Sequence, residues 1–283
     1  MLNGGLVAIK AIIDQLKPSE RKAAEYILQH PKEVVKLSVQ RLAQLSGVSE
    51  ATIIRLTKTL NMKGFQELKL RIAGDLSSVV PANTYEEIKM GASAESIIQA
   101  VSNNNKQSIQ DTMSVLSAEE VERAADALWK ARKIDVYGVG ASAVIAQDIE
   151  QKLSRINRWC VAYSDFHAQL TSAVSLTPKD VAIGVSYSGQ TEEIIQSLSE
   201  AKKQGATIIS LTKFGSSPVA ELGDIRLFTS SVEQSIRSGA MASRIAQLNV
   251  VDILFVTIAS RQPNKVIPAL EKTRMALSRT KRT

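Results

Sequence analysis

From residue 133 onward, short apolar runs alternate with longer amphipathic stretches, and this alternation limits the possible folds more than any other feature of the chain. Residues 133–139, 161–163, 180–185, 207–211 and 224–228 read as strands, while 142–156, 191–204 and 239–260 carry helical spacing. Strands joined through helices pair in parallel, and a parallel sheet needs both faces covered. The expected fold here is α/β, a five-stranded parallel sheet between helical layers. Two helices before it, about 95–116 and 118–131, are expected to pack alongside.

Residues 6–76 have a different grammar, helical almost throughout. Pro18-Ser19-Glu20 starts a helix whose Ala23, Ala24, Ile27 and Leu28 fall on one face, and Pro31 ends it. His30, at that end, reads as a partner for the last helix carbonyls. The stretch 39–56 is the most specific part. Ala43 is small where two steeply crossing helices would meet, and Gly47, four positions later, tolerates the positive φ of a tight turn. Ser49 can cap the second helix, and Leu42, Val48, Ile53 and Leu56 would form the shared core. These features describe a helix-turn-helix. Its second helix would enter the major groove, which nominates Ser49, Glu50, Thr52, Arg55 and Lys58 for double-stranded DNA. Arg55 suits guanine, Glu50 suits cytosine N4, and Lys58 suits phosphate. A solvated helix face is the plain alternative for each of them.

Charge is distributed in keeping with that reading. The chain of 283 residues carries a net +7, and residues 1–77 hold 12 Lys and Arg against 7 Asp and Glu. Residues 265–283 hold six basic residues and one acid, which leaves the middle mildly acidic. A basic first quarter fits an acidic partner. The single cysteine, Cys160, allows no internal disulfide and no cysteine-based zinc site, so a reducing, cytoplasmic setting is expected, with no metal. No apolar run reaches the ~20 residues of a membrane span; the longest, 250–259, contains Asp252. The N-terminus does not read as a signal peptide, and no membrane partner is expected. The length suggests two domains: 1–77, a linker at 78–94 rich in Pro, Gly and Ser, and 95–283, ending in a basic helix.

Two loops at expected strand ends carry chemistry. Gly138-Val139-Gly140 begins like a dinucleotide fingerprint, but position 143 is Ala, and no acidic residue stands ready for a ribose. No cofactor is expected. The second loop, Ser186-Tyr187-Ser188-Gly189-Gln190-Thr191, follows an apolar strand and precedes an amphipathic helix. Three hydroxyls and Gly189 at a helix start form a cradle for a phosphate, helped by free N–H groups and the helix dipole.

Together with the helix-turn-helix, these loops and the run Arg237-Ser238-Gly239-Ala240-Met241-Ala242-Ser243-Arg244 resemble the RpiR/MurR family of bacterial transcriptional regulators. That family joins an N-terminal helix-turn-helix to a SIS (sugar isomerase) domain. The resemblance spans nearly the whole chain. It implies phosphate contacts at Ser142, Ser186, Ser188, Gly189 and Thr191, and sugar contacts near Glu233 and Ser238. His167 is either a pocket residue or an ordinary histidine in a first helical turn. The resemblance also implies a homodimer or homotetramer, a phosphosugar effector and an inverted-repeat operator.

A sugar-phosphate isomerase or lyase of the SIS class is the competing reading. Isomerisation needs a general base, for which His167 and Glu233 are the available side chains. An isomerase, however, has no use for a basic helix-turn-helix. The expected function is a DNA-binding regulator, leaning to a repressor of sugar or amino-sugar catabolism, with no catalytic residues.

Overall fold

The computed structural model describes residues 4–77, 91–230 and 240–280, and the chain divides into two compact units. The first holds α1 (Gly5–Ile12), α2 (Pro18–Gln29), α3 (Pro31–Val34), α4 (Val39–Ser46), α5 (Glu50–Thr59), α6 (Phe65–Ser77) and α7 (Ala94–Val115), with a short 3-10 turn at Ile13–Gln15. Proline opens both α2 and α3, where its missing N–H has no intrahelical acceptor and is no loss. His30 stands between these helices, its backbone N–H donating to the Tyr26 carbonyl and its ring 4.7 Å from the Tyr26 ring.

Ile9, Ala23, Ala24, Ile27, Leu42, Ile53, Leu56, Leu68 and Ile72 are fully buried and form the core of this unit; Leu28 and Val48 are half-buried at its margin. The start of α1 is held by Asp75 on α6, whose carboxylate accepts the N–H groups of Gly4 and Leu6 at 2.5 and 2.7 Å. Burial pushes the Asp75 carboxyl up despite these bonds. Helix α7, expected beside the sheet, is grouped with these helices. A side chain at Gly4 would strike the backbone of Ser114 near the end of α7, which is how closely the two chains pass.

The second unit contains α8 (Ala118–Lys130), β1 (Ile134–Tyr137), α9 (Ala141–Arg155), β2 (Cys160–Tyr163), α10 (Phe166–Ala173), β3 (Val181–Val185), α11 (Glu192–Lys203), β4 (Thr207–Lys213), α12 (Pro218–Leu222), β5 (Ile225–Thr229), α13 (Met241–Arg261) and α14 (Pro263–Thr280). The sheet is parallel throughout, in the order β2-β1-β3-β4-β5, with Tyr137 level with Tyr163 on one side and Gly184 on the other. Side chains alternate between faces along each strand. Val136, Ile183, Ile209 and Leu227 share a core with α8, α9 and α13. Tyr137, Ala182 and Ile208 share the other core with α10, α11 and α12.

The expected strands and helices are present, with ends shifted by a few residues at most. Helix α12 was not anticipated; Ser217 caps it and Pro218 opens it. Helix α13 is long and apolar enough to cross a membrane by composition, so the apolar stretch runs further than 250–259. Its Val250, Val251, Leu254 and Ile258 pack into the sheet core.

The strand order marks the place where sheets of this kind offer a ligand site. From β1 the chain moves to β2 on one side and then to β3 on the other, so neighbouring connections leave a crevice at the C-terminal ends of β1 and β3. In open α/β sheets ligands bind at this switch point.

Candidate functional site

The first unit presents one candidate surface, the α4–α5 pair. Ser38 caps α4, its Oγ accepting the Arg41 N–H at 3.2 Å. The helix ends at Gly47, φ 64° and ψ 38°, whose N–H turns back to the last carbonyls of α4. A non-glycine residue there would be strained by the backbone alone. Ser49 caps α5, accepting the Thr52 N–H at 3.2 Å. The expected turn and both helix boundaries are therefore present, with Leu42, Ile53 and Leu56 beneath them.

Along α5 the structure separates the five nominated residues. Ser49, Glu50, Arg55 and Lys58 are exposed. Thr52 is buried and cannot meet a base edge, which corrects its expected role. Its Oγ1 lies 3.0 Å from the Ser49 Oγ and accepts Nη2 of Arg55 at 3.0 Å. Thr52 is thus a brace that lays Arg55 along the helix. The same exposed face carries Ala51 and Ile54, which charge-led reasoning passed over. Small apolar side chains beside an arginine suit the thymine methyl group.

In the second unit the loop from Ser186 to Thr191 leaves β3 at the switch point and enters α11. Ser186 is buried beneath it, its Oγ 2.8 Å from the Thr191 Oγ1 and accepting the Gly189 N–H at 3.1 Å. Ser188 is exposed, its Oγ accepting the Gln190 N–H at 3.2 Å, and Thr191 is half-buried. Gly189 has φ 66°, and any Cβ there would collide with the Ser217 side chain. Glycine is required twice over, by conformation and by space. Helix α11 begins with N–H groups that have no carbonyl partner and carry the positive end of the helix dipole.

Ser142 lies in the first turn of α9, after the Gly138–Gly140 turn that leaves β1, and is half-buried. Gly138 is also a matter of space, since a Cβ would press on the Ser142 backbone. The chain thus brings Ser186, Ser188, Gly189 and Thr191 into one loop and sets Ser142 at the end of the adjoining strand. His167 is exposed in the first turn of α10, after β2 on the same edge of the sheet, and its carbonyl accepts the Thr171 hydroxyl. Glu233 and Ser238, and most of the linker at 78–94, lie outside the described residues.

A buried polar cluster that sequence reasoning missed stands behind β1 and β2. Asp135 is fully buried; its Oδ2 accepts the hydroxyls of Tyr137 and Ser172 at 3.1 and 2.5 Å, and Lys133 Nζ lies 2.9 Å from its Oδ1. Burial and the Asp135 carboxylate push the Tyr137 phenol up, so it stays a protonated donor. Gln169 on α10 donates to the Tyr163 carbonyl and accepts from Ser197 on α11. These bonds tie α10 to β1 and β2, and α11 to α10. The only hint in the sequence was a lysine and an aspartate within an otherwise apolar strand. Among the described residues no group of His, Cys, Asp and Glu could hold a metal ion.

Comparison with known proteins agrees with this architecture. A model of the helix-turn-helix domain of the rpiR family matches residues 3–79, and a SIS domain model matches residues 127–257. The chain is 50% identical to the HTH-type transcriptional regulator TTE0211 of Caldanaerobacter subterraneus over 98% of both chains. It is 39% identical to the HTH-type transcriptional regulator YbbH of Bacillus subtilis, again over 98% of both. The structure of Vibrio vulnificus NanR complexed with ManNAc-6P covers 98% of both chains at a TM-score of 0.62 and 26% identity. With a capped, basic helix-turn-helix before a parallel sheet whose switch point carries a serine loop, the chain belongs to the RpiR family of helix-turn-helix transcriptional regulators with a SIS domain.

Proposed function

We propose that this regulator represses genes of sugar or amino-sugar catabolism, and that a phosphosugar held at the loop after β3 alters its grip on DNA. The observation that carries the reading is the preformed loop itself. Ser186, Gly189 and Thr191 are already bonded to one another at the mouth of a helix start, so a phosphate would meet a site needing little reorganisation. Ser188, Thr191 and Ser142 are the hydroxyls assigned to the phosphate, with Gly189 supplying the close backbone. Ser186, also expected to meet the phosphate, is buried with its Oγ engaged by Thr191 and the Gly189 N–H, so it is assigned to supporting them from below. Glu233, Ser238 and His167 are assigned to the sugar. An amino-sugar phosphate is the favoured class, because the NanR structure similar over the full chain holds ManNAc-6P.

DNA binding is assigned to Ser49, Glu50, Arg55 and Lys58 on α5 and its cap, acting from a homodimer or homotetramer on an inverted repeat. Two half-sites about one helical turn apart follow from a symmetric pair of helix-turn-helix units. Calorimetric titration with a panel of hexose and amino-sugar 6-phosphates tests the effector half. Saturable binding that is lost on Ser188→Asp supports it, and sustained turnover of any of these sugars would replace the regulator with an isomerase. Footprinting tests the other half, where a monomeric, asymmetric site would contradict it.

A further inference from the structure

At the edge of the sheet opposite the serine loop, where α8 ends and β2 begins, the second unit has a groove of about 500 Å3. Trp129, Lys130, Asn157, Arg158 and Lys265 line it, and among the described residues no carboxylate does. The Arg158 guanidinium sits 4.6 Å from the centre of the Trp129 ring, and Lys265 Nζ lies 5.7 Å from the same centre. Arg158 Nη1 donates to the Trp129 carbonyl at 2.7 Å, and its Nε donates to the Asn157 carbonyl at 3.1 Å. Those two bonds and the ring fix the guanidinium, and its remaining N–H donors have no partner among the described residues. Asn157 holds a left-handed φ of 59°, which folds the loop around that guanidinium. Lys130 and Lys265 form no ion pair among the described residues.

Like charges gathered at one ring repel each other, and an anion between them removes that repulsion. A volume of this size also lies within the roughly 300–1,000 Å3 of small-molecule sites. A surface that tracks duplex DNA is an extended basic stripe, whereas these cations converge on a single concavity. We propose that this groove is a second anion site, taking a small phosphorylated metabolite with two or more phosphoryl groups. It stands at the opposite strand ends from the sugar-phosphate loop and does not depend on that assignment.

The chain has two tryptophans, so Trp159→Phe leaves Trp129 as the sole indole and a reporter within the groove. Pyrophosphate titrated at constant ionic strength should change its emission saturably. Adding Lys130→Gln and Lys265→Gln to that background should weaken the apparent affinity at least tenfold. Arg158→Lys, which keeps the charge but removes the planar fork, should weaken it by a smaller factor. Ser188→Asp should leave the titration unchanged. A change that never saturates, that sodium chloride reproduces, or that survives the double lysine variant would overturn the site. So would an indole that ignores pyrophosphate and responds only to duplex DNA.

Discussion

At Arg55, the residue assigned here to base recognition, a single hydroxyl sets the side chain in place. Thr52 accepts from its Nη2 and is itself tied to the Ser49 cap, so the guanidinium is oriented before any partner arrives. Arg55→Ala should cost about 1–3 kcal/mol on a specific operator and relax preference at one base pair, whereas Lys58→Ala should weaken all sequences alike and lower the salt slope by about one. Thr52→Val preserves the buried shape but frees the arginine; competition binding should show specificity falling by less than for Arg55→Ala, with nonspecific affinity unchanged. The exposure of Arg55 was legible in the sequence because the apolar period of α5 sets the buried face. The burial of Thr52 was not, since a threonine fits a helix surface and a helix core equally well, and only the neighbouring hydroxyl and guanidinium decide.

Among the elements, β3 and its two ends carry most of what is specific to this fold. Its C-terminal loop could be read from the chain because hydroxyls and a glycine crowd one strand–helix junction. Its N-terminal anchor could not, because that depends on groups far apart in sequence. Asp180 is buried there, accepting Nε and Nη2 of Arg132 at 2.9 and 2.6 Å as well as the N–H and hydroxyl of Thr177. Burial raises its carboxyl, but the Arg132 and Thr177 bonds outweigh that and hold it below the usual range. A depressed native value means that the ionised form stabilises the fold. That contribution is complete above the ordinary carboxylate value of about 4 and disappears as the pH falls through the lower native value. Urea unfolding of Asp180→Asn should show a loss of about 1–3 kcal/mol at pH 7 and a shallower decline than wild type below about pH 4. An equal decline in both would mean that other carboxylates govern the acid limb. At the other end of β3, Gly189→Ala meets a left-handed backbone and the Ser217 side chain together. Expressed as free energies, the loss of sugar-phosphate binding should exceed the loss of folding stability, as paired calorimetry and melting would show.

In the whole molecule, the two-part organisation was visible from charge and period alone, because a basic helical quarter and an alternating strand–helix body bury their apolar residues in different patterns. The grouping of α7 with the first unit was hidden, since an amphipathic helix does not say which neighbour it covers. Regulation requires that the effector bind two states of the protein unequally, a coupling of typically about 1–3 kcal/mol or 5–150-fold in affinity. It also requires that the sugar-phosphate and DNA sites be separable by mutation. DNA affinity titrated against N-acetylmannosamine 6-phosphate and related sugar phosphates, on wild type and on Ser188→Asp, measures both requirements at once. The expected result is a 5–150-fold change in operator affinity for wild type, and for the variant normal DNA binding that no longer responds. A variant that responds as wild type does would contradict the assignment of the phosphate to the loop after β3.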